Sequence, residues 1–329
     1  MFLAEGLKKK PIVLMGANAS GKTVLSISIA KATGGEIISA DSRQIYKHLR
    51  AGTSKPEGRW EKDSAGREVY LTEGVPYHLV DFLDPNSTYD AARYCADFLR
   101  AAEDILSLNR LPIVAGGTGM YLNAVFNGLD PLPKPDLVYR KELMDLAREK
   151  GKQAVYEKLK EADPASALRI HPHNIHRMIR ALEISRAEGR PYSQTISGRF
   201  MRDITLFPGL FVYLKWEKPI LKERIRSRTE KEFDQWAQET RNLISGGYAH
   251  DCPGLKSLGY TAVLDYLEGR IQRREAISLI TDLSLEYAKR QNTWFSRYSR
   301  TVKLEFYSEK DFEPARLTSL ILEKYEQLK

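Results

Sequence analysis

Near the N-terminus stands Gly16-Ala17-Asn18-Ala19-Ser20-Gly21-Lys22-Thr23, a match to G-x-x-x-x-G-K-[ST]. It follows a short apolar run, Pro11 to Met15, and opens a helical stretch from Thr23 to Ala32. Strand, glycine-rich loop and helix in that order are the context this phosphate-binding motif requires. Gly16 and Gly21 let the backbone turn its N–H groups inward around an anion, and the helix start adds partial positive charge. Lys22 reaches a terminal phosphate, and the Thr23 hydroxyl is placed to ligate Mg²⁺. The loop calls for a di- or polyphosphate and leaves open which one.

The neighbouring sequence continues the alternation. Glu36 to Ala40, Tyr77 to Phe82 and Leu111 to Ala115 read as strands, with a helix from Ala91 to Leu108 between the last two. Phe211 to Trp216 and Val302 to Tyr307 are later strand candidates, rich in aromatic and β-branched residues. Short apolar strands alternating with helices indicate a parallel sheet covered on both faces. The middle differs. Pro131, Pro133 and Pro135 follow Gly128, and from Asp136 to about Arg190 the pattern is helical, with Leu143, Leu146, Ala147, Val155 and Leu159 at core spacing. Strand candidates resume after it, so this block is inserted. The fold expected is α/β, a P-loop NTPase-like parallel sheet core (1–129 and 201–329) with a helical insertion domain (130–200). Pro219 to Arg300 is again mostly helical.

The 329 residues carry 51 Lys and Arg against 43 acids, a net charge of +8. Residues 169–202 hold seven Arg and two acids, and residues 269–303 hold eight Lys or Arg and three acids, so the excess sits in two segments. That is how a polyanion footprint is laid out, and solvated helix faces would give the same pattern. No apolar run is long enough for a transmembrane helix, and the N-terminus lacks the order of a signal peptide. Cys95 and Cys252 are isolated, which suits a reducing cytoplasm. His171, His173 and His176 straddle Pro172 with no acid or thiol cluster beside them, so no metal site is expected there.

Two further segments carry chemistry. Asp41-Ser42-Arg43-Gln44-Ile45-Tyr46 follows the second strand, where such sheets bind ligands. Gly116-Gly117-Thr118-Gly119-Met120-Tyr121 follows the fourth, and its glycines would let the backbone approach a ligand. Each alone reads equally as a strand-to-helix turn. Asp41 and Asp81 both end apolar strands and would serve as the metal-binding Asp of a P-loop kinase, which stays open on these residues.

Taken together, GANASGKT (16–23), ADSRQIYK (40–47), VPYHLVDFLDP (75–85), AGGTGMYLNAV (115–125), HRMIRALEISRAEGRP (176–191) and AKRQNTWF (288–295) resemble the tRNA dimethylallyltransferases, in the family's order and across most of the chain. The resemblance implies transfer of a dimethylallyl group from dimethylallyl diphosphate to N6 of the adenosine next to the anticodon of tRNA. It implies a diphosphate held by residues 16–23, with Lys22 catalytic, Mg²⁺ near Thr23, and a further Arg from the helix carrying Arg224 and Arg228, of which Arg228 is favoured. Asp41 is the implied general base, with Thr118 beside the reacting centre. The base must leave its stack to react, and Ser42 and Gln44, flanking Arg43, are the implied readers. Arg140, His176, Arg177, Arg180, Lys289 and Arg290 are the implied tRNA contacts; Trp294 and Phe295 read as core. A cytoplasmic monomer with tRNA and dimethylallyl diphosphate as partners is expected.

The chain departs from the family pattern in places. Arg228 to Trp236 lacks the usual Met and Gly, Gly259-Tyr260-Thr261-Ala262 replaces a GYRQ, and Ser284-Leu285-Glu286 replaces a TRQ. Residues 52–74 are unusually charged. No Cys-His finger follows, as in bacterial members. Two alternatives are a prenyltransferase acting on free AMP or ADP, which the basic insertion argues against, and a P-loop kinase, which the DSRQIY and GGTGMY segments argue against.

Overall fold

The computed structural model describes residues 9–63 and 66–328. The N-terminal residues read for a leader, and Ser64 and Ala65 of the charged stretch, lie outside them. The chain divides into two compact units. One comprises the residues up to Phe126 and those from Asp203 onward, the other Asn127–Arg202.

The first unit begins with β1 (Ile12–Gly16), α1 (Lys22–Thr33), β2 (Glu36–Ser39), β3 (Arg59–Lys62), β4 (Glu68–Thr72), β5 (Val75–His78), α2 (Ala91–Ser107), β6 (Pro112–Gly116) and α3 (Gly119–Asn127). The second unit holds α4 (Leu137–Lys150), α5 (Lys152–Ala162), α6 (Pro164–Arg169), α7 (Ile175–Glu188) and α8 (Tyr192–Thr195). Back in the first come β7 (Leu210–Trp216), α9 (Lys218–Ser245), α10 (Tyr260–Leu267), α11 (Arg273–Phe295), β8 (Val302–Phe306) and α12 (Pro314–Glu326). The sheet order is β3-β4-β5-β2-β6-β1-β7-β8. β5 through β8 are parallel neighbours, and β3 and β4 add an antiparallel edge.

Strand pleat explains why β1 reads as a continuous apolar run. Ile12 and Leu14 face one core with Leu25 and Ile29 of α1 and Leu317 and Ile321 of α12. Val13 and Met15 face the other with Tyr94 and Phe98 of α2 and Phe295 of α11. Successive side chains point to opposite faces, so a central strand buried on both must be apolar throughout. A third core joins Phe233 and Trp236 of α9, Tyr260 of α10 and Ile280 of α11 to Ile45, Leu49 and Leu83. In the second unit, Leu143, Val155 and Leu159 are fully buried with Met178 and Leu182, and Leu146 and Ala147 pack against them.

The structure revises the strand reading in two places. The third strand is Val75–His78 rather than 77–82, because Leu79 and Asp81 adopt positive φ (57° and 55°) and turn the chain. The charged stretch 52–74 holds the hairpin strands β3 and β4, which carried no apolar alternation to reveal them.

Candidate active site

The P-loop runs from the buried end of β1 into α1. Gly21 sits at φ 91°, and a Cβ there would lie 2.3 Å from Phe312 Cζ, so only glycine closes this turn. Lys22 Nζ donates to Ala17 O at 2.7 Å and to Ser20 Oγ at 3.4 Å, so the ammonium is folded over its own loop. Burial is the main cause that pushes Lys22 down to about 8; Asp41 opposes the shift and the charge of Arg228 adds to it. A bound anion would reverse that balance.

Residues 18–23 open onto a cavity of about 850 Å³. Asp41, Gln44 and Tyr77 line it from the strand ends, and Glu223, Arg224, Ser227, Arg228, Lys231 and Glu232 line it from α9. Gly16 and Ala17 lie behind the lining. The Asn18 N–H, expected to face the anion, instead donates to Gln291 Oε1 at 2.9 Å.

The two candidate arginines differ. Arg224 Nε donates to Ala19 O at 2.8 Å, its head pairs with Glu309, and it stacks on Trp216 at 4.0 Å. Arg228 makes no hydrogen bond or ion pair among the described residues, and burial lowers its pKa, with Arg224 also lowering it while Glu232 and Asp41 act against. Arg224 therefore braces the loop, and Arg228 is the guanidinium left to meet an anion. Burial holds the Glu232 carboxyl above the usual range, with Arg228 opposing.

Asp41 Oδ1 accepts from Arg43 N (2.8 Å) and Gln44 N (3.3 Å), which fixes the carboxylate at the cavity wall. Thr118 Oγ1 accepts from Ser42 N at 3.1 Å and donates to Ser42 Oγ at 3.4 Å. Burial pushes the Tyr287 phenol up, and Thr118 acts against that shift. Thr118 thus braces the Asp41 turn and is not among the cavity-lining residues. Gln44 lines the cavity, but its Oε1 accepts from Ser39 Oγ (3.3 Å) and its Nε2 donates to Ser54 O (3.0 Å). It is a buried bridge, with little capacity left to read a base. Arg43 Nη1 reaches Pro253 O at 3.5 Å.

The glycines of the 116–119 segment serve a purpose other than the one their sequence suggests. A Cβ on Gly116 would lie 2.1 Å from Ala40 O, on Gly117 2.1 Å from Gln291 Nε2, and on Gly119 2.3 Å from Trp294 Cδ1. The close approach they permit is to protein, although Gly116, with Ala115, also lines the cavity. Asp81 is spoken for as well. It pairs with the buried ammonium of Lys55, and it does not line the cavity, so it does not act as a P-loop metal ligand.

Of the residues expected on tRNA, His176 and Arg177 of α7 are exposed. Arg140 and Arg180 are not free for phosphate. Arg140 holds Glu183 bidentately (2.9 and 2.8 Å), and Arg180 reaches Glu183 at 3.4 Å and Pro133 O at 2.6 Å. Glu183 is buried, so these arginines neutralise it first. Lys289 and Arg290 of α11 are exposed and make no ion pair among the described residues; Arg290 lies over the Tyr287 ring. Phe295 is fully buried and Trp294 is half-buried, donating to Asn123 Oδ1 at 3.1 Å. His171 and His173 stack on each other, and no cluster of three metal-ligating side chains occurs among the described residues. Cys95 and Cys252 are free thiols. Where the sequence leaves the family pattern, α9 runs unbroken through Trp236, which packs against Gly259 and Tyr260. Gln291, Lys231 and Glu232 were not singled out by motif; Gln291 did stand inside the matched AKRQNTWF segment.

A nest of backbone N–H groups, a poised Lys and Arg, and a carboxylate fixed at the strand ends define a P-loop α/β protein that handles a phosphorylated substrate. The comparisons narrow the class. The model of the IPP transferase family matches residues 44–298, and that of the isopentenyl transferases matches 10–76. The chain is 43% identical to a tRNA dimethylallyltransferase of Elusimicrobium minutum over 89% of this chain and 94% of that one. It is 34% identical to the same enzyme of Alkaliphilus metalliredigens over 97% and 98%. Among solved structures it is similar to the tRNA isopentenylpyrophosphate transferase of Bacillus halodurans (31% identity, TM-score 0.66, 98% of each chain). The fold also matches a eukaryotic dimethylallyltransferase acting on tRNA (24% identity, TM-score 0.73, 97% of this chain and 80% of that one). The chain belongs to the tRNA dimethylallyltransferase family.

Proposed function

We propose that the cavity transfers a dimethylallyl group from dimethylallyl diphosphate to N6 of the adenosine next to the anticodon of tRNA. The observation that carries this is the convergence of the P-loop, Arg228 and Asp41 on one 850 Å³ space. The allylic C–O bond breaks with its electron pair going to diphosphate, the N6–C bond forms, and the N6 proton passes to Asp41. The adenine amine is a poor nucleophile, so rate depends on holding it in line and on stabilising the leaving charge. Lys22, Arg228 and the N–H groups at the start of α1 bind that charge, the Ser20 N–H being already given to Ala17 O. The Asx turn and Thr118 hold Asp41 toward the amine.

The residues present fit Mg²⁺. Thr23 offers one hydroxyl oxygen at the helix start on the cavity wall, and Mg²⁺ typically keeps its waters and takes few protein oxygens beside phosphate. Bound there, the ion would neutralise part of the diphosphate charge. Of the residues expected on tRNA, Arg177 and His176 on α7 and Lys289 and Arg290 on α11 are exposed and available to tRNA phosphates, and Ser42 and Arg43 adjoin Asp41 in the sequence. Among the described residues no helix is long and apolar enough to cross a membrane. The reading is of a monomer working on tRNA in the cytoplasm, and the two free thiols suit a reducing compartment.

Incubation with labelled dimethylallyl diphosphate and either tRNA or AMP tests the assignment. Label in tRNA is expected. Label in AMP alone would point to a free-nucleotide prenyltransferase, and ATP hydrolysis without label in either would point to a kinase-like activity; both overturn the proposal.

A further inference from the structure

We infer that Gln291 is a positioning residue, which sets the register between the loop that holds the diphosphate and the turn that holds the acceptor base. The inference rests on the proposed transfer reaction and adds a residue to it.

Gln291 is buried on α11, away from the strand ends in sequence but wedged between two of them in space. Its Oε1 accepts from Asn18 N in the P-loop at 2.9 Å. Its Nε2 donates to Gly117 O, beyond β6, at 2.9 Å. The amide thus spans the two loops with both ends used. Gly117 is shaped for it, since a Cβ there would lie 2.1 Å from Nε2. The residue after Gly117 is Thr118, which holds Ser42 N and so the Asp41 turn. One helical turn earlier on α11 stands Tyr287, whose phenol is influenced by Thr118. A single rigid helix therefore ties the donor loop at Asn18 to the acceptor side at Thr118.

The physical need is specific. Attack requires the amine and the allylic carbon within near-attack distance and in line with the leaving group, and small misplacements are costly. The two halves of that geometry hang from different strands, β1 and β2 with β6. Without a cross-link, their loops could shift independently while each still bound its own substrate. A positioning role thus predicts loss in the chemical step with little loss in binding.

The test compares wild type with Gln291→Glu, Gly117→Ala and the double variant Gly117→Ala/Gln291→Ala. Glu keeps an acceptor for Asn18 N–H and sets a carboxylate oxygen against Gly117 O. Alanine at 117 displaces the amide without touching residue 291. The measurements are kcat and KM for transfer to tRNA, inorganic diphosphate affinity with Mg²⁺, and melting temperature. Wild-type transfer must be seen first, and its absence counts against the proposed function rather than against this residue. The expected result is a kcat at least tenfold lower in both single variants, with KM and diphosphate affinity within about twofold of wild type. The double variant should lose no more than the worse single one, because both changes break the same link. Wild-type kcat in either folded single variant overturns the inference. So does a loss that follows melting temperature or diphosphate affinity, or one that adds fully in the double variant. If Gln291→Glu does not fold, the same criteria applied to Gly117→Ala decide.

Discussion

Replacing Arg228 by Ala should separate anion binding from loop architecture. Arg228 lines the cavity and has no hydrogen bond or ion pair among the described residues, whereas Arg224 is held by Ala19 O, Glu309 and the Trp216 ring. A hydrogen bond to a charged group contributes about 1.5–3 kcal/mol. At about 1.4 kcal/mol per decade, Arg228→Ala should weaken inorganic diphosphate binding by roughly 10- to 100-fold. Its melting temperature should hold, since the burial that disfavours this cation outweighs the pull of Glu232 and Asp41. Arg224→Ala should lower both affinity and melting temperature. The variant also has a pH signature. Lys22 stands near 8 in the free protein through burial first, with Arg228 adding to the effect. Diphosphate needs the ammonium, so wild-type affinity falls as pH rises through about 8. Arg228→Ala relieves one downward cause and should move that fall to higher pH. The unliganded fold shows the opposite trend. Between about 8 and 10.5 the unfolded chain holds the Lys22 proton and the folded one does not, so this group adds stability as pH rises there. Calorimetry of diphosphate binding across pH 7 to 10, with melting curves, is the assay. Wild-type affinity in Arg228→Ala, or a loss matched by a drop in melting temperature, would refute the reasoning.

Three other outcomes are expected. Asp41→Asn keeps the Oδ1 acceptor that caps the turn but cannot take the N6 proton; transfer should fall by about 10²–10⁴ in single-turnover assays while tRNA binding by gel shift persists, and near-normal transfer would remove Asp41 as the base. Glu183→Gln uncouples Arg140 and Arg180 from a buried carboxylate, which costs up to about 3–5 kcal/mol, and amide exchange should rise selectively in α4 and α7; unchanged protection there would contradict the ion-pair reading. Affinity for tRNA should fall steeply with salt, and a combined Arg177→Ala, Lys289→Ala, Arg290→Ala variant should flatten that slope; an unaltered slope would locate the footprint elsewhere.

The parts of the fold that were legible are those where local pattern and burial agree. β1 and β6 are covered on both faces and read as unbroken apolar runs, and β2 and β7 are nearly so, interrupted by Glu36 and Ser39 and by the exposed Lys215. β3 was invisible because Arg59-Trp60-Glu61-Lys62 lies on an open edge, where the hydrogen-bond ladder to β4 rather than a buried face defines the strand. The third strand was misplaced for the converse reason. Val80 is fully buried in a turn, so an apolar residue signalled burial without signalling extended backbone.

The site divides along the same line. The proposed anion cradle is marked within eight contiguous residues, Gly16 to Thr23, because a glycine-rich turn into a helix start is a local pattern. What orients that loop is encoded 273 positions away in Gln291, and nothing local marks a glutamine as a brace. Arg140 and Arg180 show the limit of reading charge in one dimension, since their partner Glu183 decides whether they are available to phosphate. The Gly116, Gly117 and Gly119 signature shows the limit for shape. Each missing Cβ marks a point that another group must occupy, and the sequence does not say whether that group is ligand or protein. Here Ala40, Gln291 and Trp294 fill the three spaces, so Gly117 and Gly119 pack against protein behind the cavity while Gly116 forms part of its wall. The same layering accounts for Thr118. Its hydroxyl is committed to Ser42, so any part it takes in the proposed transfer runs through the position of Asp41.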